Sequence, residues 1–573
     1  MKDSSSRCSL SILAIGSSLV ILFPIGCHDA PRRGTLEACA KDAVLDPAGS
    51  WEGEVVPDER VCLHITLEPG QFVRLTVGAA SRMENPFEVS VLAPDDSVPL
   101  VHTYVETVQE KQVSWEARTG GVYTVVLLSA SLWTERGPPS VLVEVREVEG
   151  GPSLAARREA IPRDPRLANL VSRAIRLRTL DPEDTSFGDL QALKNVLHDV
   201  QLVLLGEATH GDGSTFYANS RLIRFLHSEM DFDVLAFESG MYGMWRAWRE
   251  IALGEEPTAS FGQGAYPQWA KARQLGPLVE YIAQTTQEPR PLVLAGIDVF
   301  SSGSTPPDTM ISELTRFLQA HGLEGPFTDS RSPENGVLAR LHQYNPGPSP
   351  DSATLVAFEN AVASTAGRIE RELASLEARY WAGILRNAER AANWNWKPRG
   401  TGRRFCATDA CRSSPGRDPE MVQNLIRLAT RLYPGHKIIV WAASAHVGRN
   451  LTSIDTPGWI GDRYTLGDGA KSEFGDLSYA IAPVSYEGVY YSQEYTIVPD
   501  QDLGLEFEEL MAAAGYEMAF VDLRGAVSED SWLGESFLAR PVEHSTMGSR
   551  WSENYDAFLF IKRQESRSPA PEL

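Results

Sequence analysis

Two histidines and three carboxylic acids stand at or just after the ends of apolar runs in this 573-residue chain. In chain order they are Glu207, His210, Glu238, Asp298 and His446. Glu207 and His210 are only three residues apart, on a segment flanked by glycines. A neighbouring carboxylate orients an imidazole and raises its basicity towards the range that suits a general base. These residue types therefore indicate proton-transfer chemistry.

The apolar runs before these side chains have the length of buried strands and alternate with helical patterns. They span 202–205, 234–237, 292–297 and 438–443. Such alternation predicts an α/β fold with a mostly parallel central sheet and helices on both faces. Ligands of open parallel sheets bind beyond the carboxyl ends of the strands. The five side chains therefore meet at one edge of the sheet if the four strands are neighbours.

Each of the five side chains also has an ordinary structural explanation. Glu207 and Asp298 could cap helices, Glu238 could pair with an arginine, and either histidine could be a loop residue. Four coincidences at equivalent strand ends favour a shared site. The chain has no Gly-x-Ser-x-Gly, His-Glu-x-x-His or Gly-Lys phosphate-loop motif. A serine nucleophile at Ser214 or Ser239 is therefore disfavoured.

Three ordered blocks of the chain resemble the erythromycin esterase family. The first is Gly206-Glu207-Ala208-Thr209-His210-Gly211, with Arg224 and Leu226 on the next helix and Phe237-Glu238 ending the next strand. The second is Gly296-Ile297-Asp298. The third combines Arg417-Asp418, Met421 and Asn424 with Val440-Trp441-Ala442 and His446. The resemblance covers about residues 169–565.

The resemblance implies an α/β domain with helical insertions that hydrolyses an ester through a water molecule activated by histidine. In the best-known members of the family the ester is a macrolide lactone. His210 would be the base, and Glu207 and Glu238 would orient it or the water. His446 would stabilise or protonate the developing oxygen charge. No cofactor is expected for this mechanism.

Three further residues would bind the small-molecule ester or hold the carboxylates, namely Arg224, Asp298 and Arg417. Two positions depart from the pattern of macrolide-cleaving members. Ala443 stands where a second histidine follows the strand tryptophan, and Asn219 stands where an arginine is expected on the first helix. These departures move the expected substrate from a macrolide to another ester or an amide.

Two other functions fit the same residues. Glu207, His210, Glu238 and His446 could together bind a divalent metal ion that activates water. Alternatively, the missing second histidine permits a non-catalytic envelope lipoprotein that binds a ligand in a decayed esterase-like cleft.

The charge of the chain indicates which partners are disfavoured, and its first residues indicate where the protein is located. Acidic residues outnumber Lys and Arg by 76 to 53, for a formal charge of −23, which disfavours nucleic acid and anionic membrane surfaces as partners. Residues 1–27 resemble an export signal, with Lys2 and Arg7 before an apolar segment. Their final Phe-Pro-Ile-Gly-Cys resembles a lipobox, which would lipidate Cys27 and anchor the protein in the bacterial cell envelope, at the periplasm or outer membrane. The sequence does not specify an oligomeric state.

Export bears on the other cysteines, because thiols outside the cytoplasm are usually oxidised. Cys39 with Cys62, and Cys406 with Cys411, are the economical disulfide pairs, since each pair lies within one local segment. A zinc site is disfavoured because Cys406 and Cys411 lack a second close pair of ligands.

The chain is predicted to begin, after the signal, with a β-sandwich at 28–149, because short apolar runs alternate with turns. Its strands are predicted at 61–67, 72–77, 87–92, 112–116, 123–128 and 140–145. The segment resembles the pre-peptidase C-terminal domains of secreted bacterial hydrolases, which implies a spacer or binding role. A linker at 150–168 leads to the α/β domain at 169–565, and a disordered tail is predicted at 566–573.

Further elements of the α/β domain follow from hydrophobic periodicity. Helices are predicted at 215–229, 241–252 and 269–285, and additional strands at 478–482, 489–497, 519–523 and 557–561. The Pro-poor segment 352–392 predicts one long helix or two stacked helices that form a wall or lid. Asp418 is predicted to be an N-cap, with Pro419 in the first turn of its helix.

Overall fold

The structure is a computed structural model that describes residues 39–568, apart from 47, 57–58, 80–86, 95–98, 106–110, 118, 130–139, 150–160, 344–345, 397–415, 455–463, 491–494, 498–504 and 528–530. The predicted signal segment, Cys27 and the Cys406–Cys411 pair lie outside the described residues. The predicted disulfide between Cys39 and Cys62 is present, with Cα atoms 5.8 Å apart.

The described part of residues 39–149 contains nine strands, which form two sheets. They are β1 (Lys41–Val44), β2 (Ser50–Glu54), β3 (Arg60–Leu67), β4 (Phe72–Ala79), β5 (Phe87–Leu92), β6 (Pro99–Val105), β7 (Lys111–Glu116), β8 (Gly121–Ser129) and β9 (Ser140–Glu149). The sheet orders are β1-β3-β8-β5-β6 and β2-β9-β4-β7. Alternate residues such as Val61 on β3 and Val73 on β4 share one core between the sheets. The predicted sandwich is confirmed, and β1, β2 and β6 are additional to its predicted strands.

The strands of the second part of the chain build a larger sheet and a small hairpin. They are β10 (Ile175–Arg176), β11 (Leu202–Leu205), β12 (Phe232–Gly240), β13 (Val293–Asp298), β14 (Lys437–Trp441), β15 (Ser478–Tyr490), β16 (Tyr495–Ile497), β17 (Met518–Asp522), β18 (Phe537–Ala539), β19 (Met547–Ser549) and β20 (Ala557–Gln564). The large sheet has the order β10-β17-β20-β15-β11-β14-β12-β13, with β16 paired to β15. Its pairs are parallel from β13 to β20, while β17 is antiparallel to both neighbours. This confirms the mostly parallel central sheet.

The helices surround this sheet. They are α1 (Pro165–Arg173), α2 (Leu193–Val196), α3 (Gly213–Met230), α4 (Met241–Ala252), α5 (Pro257–Gly264), α6 (Pro267–Ala270), α7 (Gly276–Thr285), α8 (Pro307–Ala320), α9 (Pro333–Leu341), α10 (Ser352–Glu372), α11 (Leu376–Trp396), α12 (Arg417–Arg427), α13 (Ser444–Val447), α14 (Leu466–Phe474), α15 (Phe507–Ala513), α16 (Leu523–Val527) and α17 (Trp551–Asn554). Among the described residues, no helix combines the length and apolar character needed to cross a membrane.

The buried residues of β11 show that helices cover both faces of the sheet. Val203 and Leu205 share a core with α3 and α7, whereas Leu202 and Leu204 share another core with α4, α8, α10 and α11. Successive strand residues point to opposite faces, so a strand buried on both sides must be apolar throughout. That requirement explains the uninterrupted apolar runs and leaves polar residues for the strand ends.

Several boundaries differ from the predictions. The helix predicted at 269–285 is broken between α6 and α7, because Pro277 lacks an amide hydrogen and fits only the first turn of α7. The segment 352–392 forms two helices, α10 and α11. Helix α1 crosses the predicted domain boundary at 169, and its Leu170 is fully buried.

The predicted disordered tail also begins too early. The backbone N–H of Arg567 donates to the carbonyl of Gly211 at 2.7 Å, and the N–H of Ser568 donates to Gln274 Oε1 at 3.1 Å. Arg567 is therefore bound to the segment that carries His210 and Ser568 to Gln274, while 569–573 lie outside the described residues.

Candidate active site

The four strands that precede the candidate residues are adjacent in the sheet, in the order β11-β14-β12-β13. Residues near their carboxyl ends are level, since Trp441 on β14 pairs with Leu205 on β11 and with Phe237 on β12, which in turn pairs with Gly296 on β13. The carboxyl ends of these strands therefore share one edge, as predicted.

Glu207 and His210 form a close carboxylate–imidazole pair at this edge. His210 Nδ1 lies 2.5 Å from Glu207 Oε1. The other oxygen, Oε2, accepts hydrogen bonds from the indoles of Trp441 at 2.8 Å and Trp269 at 3.2 Å. The Glu207 side chain is fully buried, whereas the His210 side chain is 33% exposed. The two indole hydrogen bonds thus hold the carboxylate in place, and the imidazole is the member of the pair that solvent can reach.

The loop at residues 206–212 depends on a glycine and on an amide side chain. A Cβ atom on Gly206 would lie 2.6 Å from Ser444 Oγ and 3.0 Å from the carbonyl oxygen of Ile481, so a larger residue has no room. Asn219 Nδ2 donates to the Gly206 carbonyl at 3.0 Å. Asn219 therefore supports this loop from α3.

Glu238 is buried beside the next strand end, where the pairing of β12 with β13 shifts register between Phe237 and Gly240. Such irregularities redirect side chains next to active sites. Glu238 Oε1 lies 2.6 Å from Arg417 Nη2, and Glu238 Oε2 accepts from the N–H of Ala443 at 3.0 Å. Ala443 thus contributes its backbone to the site.

Arg417 connects Glu238 with Asp298. Its Nη2 donates to Asp298 Oδ2 at 2.6 Å, and its Nε lies 3.2 Å from both carboxylate oxygens. Tyr266 OH also donates to Asp298 Oδ2, at 3.1 Å. The ring of Phe300 lies beneath the guanidinium, 5.8 Å from its carbon atom. Arg417 is therefore held in one orientation by two buried carboxylates and an aromatic ring.

His446 forms a second histidine–carboxylate pair, with Asp418. Nδ1 of His446 lies 2.8 Å from Asp418 Oδ2, and Nε2 lies 3.2 Å from Arg417 Nη1 and 3.3 Å from Glu238 Oε1. The prediction that Asp418 is an N-cap is wrong, because α12 already begins at Arg417. Asp418 instead turns inwards and also accepts from the N–H of Leu466 at 3.2 Å.

Arg224 is the one predicted site residue that the structure does not bring to this edge. It lies 11 positions after the start of α3, about 16 Å along the helix axis at 1.5 Å per residue. There it donates to the carbonyl of Pro182 and stacks on Tyr281, with 4.7 Å between guanidinium and ring centroid. Its contacts hold α3 against its surroundings and do not reach the other predicted residues.

We call the assembled group the acid–base cluster; it comprises Glu207, His210, Glu238, Asp298, Arg417, Asp418 and His446. Sequence patterns did not indicate Trp269 and Tyr266, nor the pairing of Asp418 with His446. Trp269 and Tyr266 belong to the α5–α6 segment, distant in sequence from the carboxylates they contact, and no local spacing marks such contacts. Asp418 was visible in the third family block, but its Asp-Pro-Glu context is typical of a helix start.

Burial and charge shift the proton affinities of three cluster members. Burial disfavours a charged Glu207 and raises the pKa of its carboxyl, against the opposing effect of His210. Burial lowers the pKa of His210, but the hydrogen bond and charge of Glu207 outweigh it, so the pKa lies above its ordinary value. Burial also raises the pKa of Glu238, but His446 and Arg417 outweigh it and bring it to about 2. Glu238 is therefore ionised at neutral pH.

The cluster does not fit the metal-dependent alternative. Within the part of the chain that the structure describes, three potential ligand atoms lie within 4.8 Å of one another only at Cys39, Asp42 and Cys62, where the disulfide engages both sulfurs. At the sheet edge, the guanidinium of Arg417 lies against Glu238, where it would repel a metal cation. We therefore assign no step to a metal ion.

The sequence profile described as erythromycin esterase matches residues 227–564, more than half of the chain. The chain belongs to the erythromycin esterase family. The matched range begins after Glu207 and His210 and includes the other members of the acid–base cluster.

Solved structures share the fold of this erythromycin esterase family member. A Bacillus cereus protein of known structure is similar over 72% of this chain and 98% of its own, with 18% identity and a TM-score of 0.58. A succinoglycan biosynthesis protein is similar over 72% of this chain and 99% of its own, with 16% identity and a TM-score of 0.54. At such identities the likeness concerns the fold alone.

A shorter stretch resembles a protein of Bacillus subtilis (strain 168) named Putative hydrolase YbfO. The two are 34% identical over 122 residues, which is 21% of this chain. The match spans 27% of the length of that relative, so the relative's name describes a protein of which this chain matches about a quarter.

Proposed function

We propose that this protein is a hydrolase that cleaves a carboxylic ester with a water molecule activated by His210. The observation that carries the proposal is the 2.5 Å contact between His210 Nδ1 and the buried Glu207 carboxylate, on an imidazole that remains one-third exposed. Glu207 keeps the ring proton on Nδ1, which leaves Nε2 as the base. Nε2 makes no hydrogen bond with any described residue.

The proposed reaction moves one proton from water to His210 and then from His210 to the departing alcohol oxygen. Nε2 takes a proton from water while the water oxygen bonds to the ester carbonyl carbon and the carbonyl electron pair moves to its oxygen. The bond from that carbon to the alcohol oxygen then breaks. The departing alkoxide takes the proton from the His210 imidazolium. The products are a carboxylic acid and an alcohol, and His210 is neutral again.

Arg417 is proposed to stabilise the negative oxygen of the tetrahedral intermediate, and His446, whose Nε2 lies 3.2 Å from Arg417 Nη1, to hold that guanidinium. Glu238 and Asp298 fix the guanidinium before substrate arrives, and Asp418 fixes the imidazole of His446. Donors that are oriented in advance need no rearrangement during the reaction, and one such donor is typically worth about 10²–10³ in kcat. The role proposed for Arg417 is thus the substrate-binding role expected from the sequence, and Asp298 holds its guanidinium in place.

Hydrolysis of a panel of p-nitrophenyl and alkyl esters by purified wild type and His210→Gln tests this function. We expect kcat to fall by about 10²–10⁴-fold in the variant, the usual contribution of a general base. His227→Gln is the control for replacement of a histidine by glutamine, because His227 contacts Tyr281 and the Arg290 carbonyl instead of the cluster. Ester hydrolysis that is the same in His210→Gln and wild type would remove His210 from the mechanism, and hydrolysis absent from wild type would favour a binding protein.

We also propose that the protein is exported and anchored through a lipid on Cys27. The disulfide between Cys39 and Cys62 supports an oxidising compartment. Fractionation of cells that express wild type or Cys27→Ser tests the anchor. The expected result is membrane-bound wild type and a variant that either moves to the soluble fraction or keeps its signal segment. A wild type found in the soluble fraction would contradict lipidation.

A further inference from the structure

We propose that Asp212 and His544 are positioning residues that hold the 206–212 loop, and with it His210, in the geometry needed for water activation. The inference rests on the proposed function, because positioning has a purpose only if His210 acts on a substrate. It assigns a role to a buried histidine–carboxylate pair outside the acid–base cluster.

Asp212 closes the loop from within. Its side chain is fully buried, and Oδ2 accepts from the N–H of Thr209 at 2.9 Å while Oδ1 accepts from the Thr209 hydroxyl at 2.7 Å. The same hydroxyl accepts from the N–H of Gly211 at 3.1 Å. The residues on either side of His210 are thus held in place, Thr209 by the Asp212 carboxylate and Gly211 by the Thr209 hydroxyl. Rotation of the His210 backbone would therefore break hydrogen bonds to a buried charge, which are expensive to lose.

His544, from a distant part of the chain, also binds the carboxylate of Asp212. Its Nε2 lies 2.9 Å from Asp212 Oδ1, and the imidazole is 2% exposed. A carboxylate only accepts, so His544 donates from Nε2. The contact joins residues 332 positions apart in sequence, so it adds to the 206–212 loop a restraint that the loop cannot supply itself.

The backbone that presents His544 is unusual. Glu543 and His544 both have a φ of 50°, in the left-handed region that side chains other than glycine rarely adopt. The N–H of Glu543 donates to the Ala208 carbonyl at 3.0 Å. This turn therefore binds the 206–212 loop through the backbone of Glu543 and through the side chain of His544. Non-glycine residues persist in such conformations only where the surroundings require them, and they cluster at functional sites.

Burial and the charges of Glu207, Glu238 and Arg417 shift the pKa of His210, and the ring of Trp269 packs against it with 5.5 Å between centroids. His544 and Asp212 act on His210 only through the position of the loop. A small displacement would lengthen the contact between His210 and Glu207. Loss of about 1 Å of alignment lowers rates by about 10²-fold in well-ordered sites.

Three variants and a control test the proposal. His544→Leu removes the donor to Asp212, whereas His544→Gln places an amide N–H where Nε2 was. Thr209→Val removes the hydroxyl that binds both Asp212 and the Gly211 N–H, and it decides the question if His544→Leu does not fold. His227→Leu is the control for loss of a buried histidine. Each protein is measured in two ways: kcat and KM on p-nitrophenyl butyrate, and the titration midpoint of His210 by NMR of histidine-labelled protein.

We expect His544→Leu and Thr209→Val to lower kcat by about 10²-fold with KM changed by less than about threefold, and to lower the titration midpoint of His210. We expect His544→Gln and His227→Leu to resemble wild type in both measurements. Folded His544→Leu and Thr209→Val proteins with the wild-type His210 titration would overturn the proposal. The titration needs no substrate, so it decides between these outcomes even if wild type hydrolyses no ester and the proposed function fails.

Discussion

Replacement of Glu207 by glutamine tests how the buried carboxylate controls the proton on His210. Two donors, the indoles of Trp441 and Trp269, converge on Glu207 Oε2. Because an indole N–H only donates, the amide oxygen of the glutamine must take that position, and its NH₂ group then faces His210. Nδ1 of His210 must accept, so the ring proton moves to Nε2. The atom that should take a proton from water is then already protonated.

The size of the effect follows from this change of tautomer. In a Ser-His-Asp triad, the equivalent change of carboxylate to amide lowers kcat by about 10⁴-fold for the same reason. A tenfold change in rate is about 1.4 kcal/mol, so we expect Glu207→Gln to lose about 5 kcal/mol of transition-state stabilisation. Stability should change little, since both indole hydrogen bonds remain and a buried neutral amide is easier to desolvate than a carboxylate.

The pH dependence gives the same test a second readout. The pKa of His210 lies above its ordinary value of 6.5, because Glu207 outweighs burial. The neutral base therefore appears only as pH rises through that pKa, and kcat/KM of wild type should rise with pH above 6.5. Removal of the Glu207 charge leaves burial, which lowers the pKa. Any residual activity of Glu207→Gln should then show this rise at lower pH.

The assay is hydrolysis of p-nitrophenyl butyrate from pH 5 to 9, combined with nitrogen NMR of labelled histidine to locate the His210 ring proton. Glu280→Gln is the control, because it makes the same chemical change on an exposed carboxylate of α7. A Glu207→Gln protein that keeps kcat within tenfold of wild type, or keeps the ring proton on Nδ1, would refute the reasoning.

Other perturbations address the rest of the site. Arg417→Met leaves buried carboxylates without their cation, so the free energy of unfolding in urea should fall by about 3–5 kcal/mol; an unchanged value would mean that the carboxylates are protonated. Gly206→Ala should lower the free energy of unfolding by about 1–3 kcal/mol, because its Cβ would meet Ser444 Oγ at 2.6 Å, and Ser444→Gly should restore part of the loss. The pKa of Glu238 is lowered to about 2, so its contribution to stability is present above pH 4.5 and is lost as pH falls towards 2. Urea unfolding between pH 6 and 3 should therefore be steeper in pH for wild type than for Glu238→Gln, and parallel curves would contradict the assigned charge.

The edge of the sheet that carries the site could be predicted from the sequence, because strands buried on both faces leave few positions for charged side chains. Strands covered on both faces, such as β11, must be apolar along their length, so Glu207 can only follow the strand. Asp298 likewise stands at the last position of β13, and His446 follows β14. The order of strands in the sheet was not predictable in this way, because β14 lies between β11 and β12 although it comes about 200 residues later. Only the three-dimensional structure shows that the edge is shared.

Other contacts could not be predicted because identical local patterns serve different roles. Asp418 has the sequence context of a helix cap, yet its carboxylate binds His446 across the site. Arg224 fits the family pattern, yet 11 residues of helix carry it away from the edge. In both cases the sequence shows only which residues are close along the chain. The direction in which a side chain points depends on how the helices and strands pack against each other.

The charges of the acid–base cluster explain why it suits proton transfer. The cluster contains four buried carboxyl groups, Glu207, Glu238, Asp298 and Asp418, and one guanidinium, that of Arg417, which contacts Glu238 and Asp298. A tetrahedral intermediate adds another negative charge, which this group could not accommodate if water lost its proton to bulk solvent. When His210 takes that proton, the new positive charge arises beside the new negative oxygen, and the net charge of cluster and intermediate stays constant. The excess of carboxylates thus favours a mechanism in which the proton stays on histidine until the alcohol leaves.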